Sequence, residues 1–132
     1  MKIYLVDDNE KFRASLRLFL ESHHSYEIVG EATTGDEFLQ QKIIDADIVL
    51  MDINMPGING LQATKLGLWN NKKLKFLAVS QFKDDVDLQL LIESGFKGFV
   101  SKSNVFDELE KAMQIVNSGG YSFPGDIALP DE

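Results

Sequence analysis

The chain has 132 residues, of which 44% are hydrophobic and 26% charged, the length and composition of one globular domain with a core of its own. It contains no cysteine, which excludes disulfides, thiolate nucleophiles and cysteine-ligated zinc, and no apolar run approaches membrane-spanning length. A formal net charge of -8 repels nucleic acid and anionic membranes and makes a cation the expected partner.

Met1-Lys2-Ile3 leads straight into a strand pattern and not into a signal peptide, so cytoplasmic residence is expected. Ile3 to Val6 is a short apolar run closed by Asp7-Asp8, and Phe12, Leu16, Phe19 and Leu20 then follow at helical spacing. The adjacent His23 and His24 make a poor metal site by themselves and read as a solvated helix end. Tyr26 to Val29, before Gly30, reads as a second strand. Thr34-Gly35-Asp36-Glu37 has the capping-box pattern and opens a helix carrying Phe38, Leu39 and Ile43. Ile48 to Met51 are four consecutive apolar residues with no polar face, the habit of a strand covered on both sides in a parallel sheet. That burial stops at Asp52, and Pro56, Gly57 and Gly60 mark a loop beyond it.

Leu61 to Trp69 is helical by pattern (Leu61, Lys65, Leu68), weakened by Gly67. Leu74 to Val79 is a fourth strand ending in Ser80. A helix on Val86, Leu88, Leu91 and Ile92 follows and stops at Gly95, a natural C-cap. Gly98 to Val100 is a fifth strand reaching Lys102. The last helix, from about Asn104 to Ser118, is expected to bury Phe106, Leu109, Ala112, Met113 and Val116 before Gly119-Gly120 ends it. Five strands alternating with five helices over short connections predict a doubly wound parallel α/β sheet within residues 1–120. Residues 121–132, with Pro124 and Pro130 and no periodicity, read as a linker-like tail.

On this reading Asp7, Asp8, Asp52, Ser80 and Lys102 all fall at carboxyl ends of strands, on the edge where open α/β sheets place their chemistry. Each has a plainer reading when taken alone. Asp8 or Asn9 is a helix N-cap, Asp52 a turn cap, Ser80 a hydroxyl closing a strand, and Lys102 a solvated lysine. Five independent accidents at five strand ends are a poor joint explanation. Carboxylates brought close raise one another's pKa and want a cation, and oxygen ligands without thiolate or imidazole select a hard ion, with magnesium the best suited.

The set Asp7-Asp8, Asp52 with Met55-Pro56-Gly57 and Gly60, Ser80, and Lys102 preceded by Phe99 resembles the receiver domain of two-component response regulators, the CheY-like, flavodoxin-like fold. The likeness covers Lys2 to about Ser118 and implies the strand order 2-1-3-4-5. It implies that Asp52 is the phosphoacceptor, taking a phosphoryl group from a sensor histidine kinase as an acyl phosphate. Asp7, Asp8, Asp52 and the backbone carbonyl of Asn54 would hold Mg2+, while Lys102 and Ser80 would bind phosphoryl oxygens and Phe99 would be the switch aromatic. The plainer reading of Phe99 is a core residue of the fifth strand. Two departures stand out. Gln81 follows the switch serine where a small residue is commoner, and Ser103 follows Lys102 where many members carry proline.

Ser103 together with Ser118-Gly119-Gly120-Tyr121 resembles the LuxR/NarL-type branch, whose receiver precedes a DNA-binding domain. The resemblance implies a phosphoprotein that controls transcription through a domain outside these residues and self-associates when phosphorylated. The alternative is a stand-alone regulator acting by protein–protein interaction. Neither makes the chain a conventional enzyme or a direct binder of nucleic acid or membrane. An aspartate-nucleophile phosphatase needs a second aspartate where Asn54 stands, and a flavin-binding loop would not place Asp7-Asp8 against a phosphate.

Overall fold

The computed structural model of the chain describes residues 1–41, 44–81 and 87–124. Its elements are β1 (Lys2–Val6), α1 (Glu10–Glu21), β2 (Glu27–Ala32), α2 (Gly35–Leu39), β3 (Ile48–Met51), α3 (Gly60–Asn70), β4 (Phe76–Ser80), α4 (Leu88–Ser94), β5 (Gly98–Ser101) and α5 (Val105–Asn117), the last preceded by a 3-10 turn, Lys102–Asn104. The five strands form one parallel sheet in the order β2-β1-β3-β4-β5, as expected. Among the described residues no helix is long and apolar enough to cross a membrane.

The run Ile48–Met51 is apolar throughout because successive strand residues point to opposite faces and both faces are covered. Tyr4, Val6, Val49, Met51, Phe76 and Ala78 join one core with Phe38 of α2, Ala63 of α3 and Leu91 of α4. Their neighbours Ile3, Leu5, Ile48, Leu50, Leu77 and Val79 join a second core with Leu16 and Leu20 of α1 and Leu109, Ala112, Met113 and Val116 of α5. Three helices therefore cover one face and two the other, as right-handed crossovers require.

Several local expectations are corrected. β2 runs on through Gly30 to Ala32, because an edge strand needs a partner on one side only and Glu31 and Ala32 pair with Leu5 and Val6. Phe106 is 50% exposed, and Val105 takes its place in the core. The buried stripe of α5 is Val105, Leu109, Ala112, Met113 and Val116, and Phe106 lies one helical step outside it, tilted against the ring of Phe19 at 5.2 Å. Ile43 and Val86, assigned to helix faces by their spacing, lie outside the described residues. The C-cap holds, with Gly95 left-handed at φ 106°. Within the tail, Ser122 pairs in parallel with Gly98, accepting from Phe99 N–H and donating to Lys97 O, each at 2.9 Å.

Gly60 sets the floor beneath the loop that follows β3. A Cβ there would lie 2.1 Å from the carbonyl oxygen of Asp52 and 2.8 Å from Cα of Ile53, both backbone atoms that cannot swing aside. Gly60→Ala is therefore expected to destabilise the fold by about 1–3 kcal/mol, read from the urea midpoint, and an unchanged midpoint would refute this close approach.

Candidate functional site

The register brings one set of side chains to the carboxyl edge of the sheet. Val6 stands opposite Met51, and the amide of Asp52 donates to Val6 O at 2.9 Å, so Asp7 and Asp52 leave their strands side by side. Ser80 stands opposite Ser101, which places Lys102 one residue beyond the same edge. Asp7 is buried and held on several sides: its N–H donates to Ala32 O (3.1 Å), its Oδ1 accepts from Asn9 N–H (2.8 Å), and its Oδ2 faces Lys102 Nζ (2.8 Å). Lys102 Nζ also lies 3.6 Å from Asp52 Oδ2 and 4.5 Å from the centre of the Phe12 ring, with its side chain 9% exposed.

The cap of α1 is Asn9, whose Oδ1 accepts from Phe12 N–H at 3.0 Å, so Asp8 is not needed for that task and stays exposed. Carboxylate oxygens of Asp7, Asp8 and Asp52 all lie within 4.8 Å of one another, and among the described residues they are the one cluster of acidic or histidine groups with metal-ligand spacing. His23 lies elsewhere, 3.4 Å from Glu110 at the end of α1. Asp8, Asn9, Asp52, Asn54, Ser80, Gln81 and Lys102 line an open cleft of about 360 Å3. Ser80 Oγ is buried there with no hydrogen-bond partner among the described residues, whereas Phe99 packs in the core with Ala78, Leu91 and Phe96.

The electrostatics follow from this geometry. Burial pushes the Asp52 carboxyl up to about 7, the charge of Asp7 adds to the rise, and Lys102 opposes it. Three carboxylates lie together and Lys102 reaches two of them, and the excess of oxygen donors, without sulfur or imidazole, suits a hard divalent cation. The acidic pocket could thus bind a metal. Two contributors were not singled out in the sequence. Phe12 reads as one more apolar position on α1, yet its ring lies under Lys102; Arg13 reads as a surface arginine, yet its Nη1 donates to Asp7 O at 2.7 Å. Neither has a local signature, because each partner is distant in sequence or is a backbone atom.

The family model described as the response regulator receiver domain matches residues 3–114. The chain is 34% identical over 128 residues to the transcriptional regulatory protein LnrK of Bacillus subtilis (strain 168), an alignment covering 96% of this chain and 58% of LnrK. It is 33% identical over 129 residues to the response regulator UvrY of Escherichia coli (strain K12), covering 97% and 59%. The chain thus spans somewhat over half the length of these relatives. Among solved structures, a LuxR-family two-component response regulator from Aurantimonas sp. SI85-9A1 superimposes with a TM-score of 0.87 at 28% identity, covering 96% of this chain and 91% of that one.

The raised carboxyl has a consequence for stability. Since about 7 in the folded chain exceeds the ordinary 3.8, the charged form of Asp52 destabilises the metal-free fold above pH 7, and the penalty fades as pH falls towards 4. Asp52→Asn, a neutral isostere, is expected to raise the metal-free unfolding temperature by on the order of several degrees at pH 8. The gain should vanish by about pH 4, and a difference independent of pH in calorimetry would contradict it.

Proposed function

The chain belongs to the response regulator receiver domain family of two-component systems, and from that membership we propose that Asp52 accepts a phosphoryl group from a sensor histidine kinase and that the domain switches conformation in response. Such a receiver is a signalling domain and not a conventional enzyme. The observation that carries the reading is Lys102 Nζ lying 2.8 Å from Asp7 and 3.6 Å from Asp52, at a cleft shared with Asp8 and the unpartnered hydroxyl of Ser80.

In the proposed step an Asp52 carboxylate oxygen attacks the phosphorus of a phosphohistidine. The P–O bond forms as the P–N bond breaks, and the electron pair leaves on the imidazole nitrogen, which takes up a proton. Mg2+ would be held by Asp7, Asp8, Asp52 and the backbone carbonyl of Asn54, where it would offset charge building on the phosphoryl oxygens. Lys102 would donate to one phosphoryl oxygen as a point charge, its Nζ lying over the Phe12 ring. Ser80 supplies a hydroxyl that no group among the described residues engages. Drawing Ser80 towards the acyl phosphate frees room beside β5, and Phe99 is the aromatic that would move into it. Gln81, exposed at the cleft's rim, stands where it can narrow the approach of water.

The output proposed is transcription through a DNA-binding domain outside these residues, with phosphorylation promoting a homodimer in the cytoplasm. Exposed Leu18 on α1 and Phe106 on α5 offer apolar surface for such a contact.

With Mg2+ and acetyl phosphate, the chain is expected to gain one acid-stable, base-labile phosphoryl group by intact mass. Equal labelling of Asp52→Ala would remove Asp52 from the role. These residues are not expected to bind duplex DNA, because their net charge of -8 opposes counterion release and an acyl phosphate adds about 1.5–2 further negative charges. An anisotropy titration at low salt is the fair test, and salt-sensitive micromolar binding would contradict it.

A further inference from the structure

Arg13 sits in the first turns of α1 with its side chain only 14% exposed, unusual for an arginine, and it is engaged at two points. Its Nε donates to Glu31 Oε1 on β2 at 2.9 Å, and its Nη1 donates to the carbonyl oxygen of Asp7 at 2.7 Å. That carbonyl belongs to the peptide unit joining Asp7 to Asp8. Because a guanidinium is a rigid planar fork, using two of its donors at once sets its plane and the direction of the carbonyl that it meets.

The rest of Asp7 is pinned independently, by Ala32 O at its N–H, Asn9 N–H at Oδ1 and Lys102 at Oδ2. Asp8 is exposed and its side chain enters none of these bonds. What aims Asp8 is therefore the peptide plane behind it. We propose that Arg13, braced by Glu31, is a positioning residue that fixes the Asp7–Asp8 peptide unit and so holds the Asp8 carboxylate at the cleft for Mg2+. This rests on the reading of Asp7, Asp8 and Asp52 as ligands of that ion. It assigns Arg13 the part played by outer groups that orient metal ligands, whose loss weakens metal binding by about 10–100-fold.

Arg17 provides an internal control. Its Nη1 also pairs with Glu31, at 2.8 Å to Oε2, and so ties α1 to β2 without touching Asp7. Removing either arginine takes the formal charge from -8 to -9 (one positive charge fewer), so bulk electrostatics favours tighter Mg2+ binding in both variants. Positioning makes the opposite forecast, and for Arg13 alone.

The test is calorimetric titration of Mg2+ into the metal-free chain, at a temperature where far-UV circular dichroism shows each variant folded. Arg13→Ala is expected to weaken binding by about tenfold, and Arg17→Ala to leave it within about twofold of the unaltered chain. Arg13→Lys, which keeps the charge and a partner for Glu31 but lacks the fork, is expected to weaken it severalfold and decides the matter if Arg13→Ala does not fold. Binding by Arg13→Ala as tight as that of the unaltered chain, or an equal loss in Arg17→Ala, overturns the proposal while leaving the metal reading intact. No Mg2+ binding by the unaltered chain overturns both.

Discussion

A single ammonium stands between two carboxylates that the fold has taken out of water. Lys102 reaches Asp7 at 2.8 Å and Asp52 at 3.6 Å, and both aspartates are buried. Removing carboxylates from water is unfavourable unless charge or hydrogen bonds replace the lost hydration. Asp7 has that replacement in Asn9 N–H and Lys102. Asp52 has it only in part, and its carboxyl is displaced to about 7 as a result. The edge of the sheet therefore carries closely spaced carboxylates that only one lysine partly offsets, a balance that a cation would shift.

Holding that imbalance requires a rigid frame, and the frame comes from covering the sheet on both sides. With α2, α3 and α4 on one face and α1 and α5 on the other, the central strands β1, β3 and β4 have no solvent face along which to slip. A slip of one residue would send every buried side chain to the opposite core. Register is thus tightly specified where it matters, and the amide of Asp52 on Val6 O records it at the carboxyl end of β3, where burial continues through Asp52 and Ile53 beyond the expected stop. The close approach of Gly60 to the Asp52 backbone extends the same constraint into the loop.

The net charge of the chain acts at longer range. An acidic domain attracts divalent cations and is repelled by nucleic acid, so an output on DNA would have to be delivered by another domain. The relatives LnrK and UvrY are a transcriptional regulatory protein and a response regulator, each longer than the aligned region.

The fold class and the strand-end residues could be read from the sequence because they rest on short-range signals. Four apolar residues in a row before Asp52 mean a two-sided strand, Asp7-Asp8 and Ser80 each follow a similar run, and Lys102 comes just after the shorter Phe99-Val100. Spacing alone also placed the helices, but not their exact faces. Phe106 and Val105 are neighbours of similar hydrophobicity, and only the start of α5 after the 3-10 turn decides which one enters the core. The strand order came with the family resemblance and not with periodicity, since crossovers leave no mark on local pattern. Tertiary structure alone decided the company each charge keeps. That Lys102 rests over Phe12, that Arg13 holds the carbonyl of Asp7, and that Ser80 is buried with no partner among the described residues all depend on how separate segments meet. Hydrophobic periodicity reports which side of an element is buried. It carries no information about what lies opposite, and at this site the electrostatics depend on that.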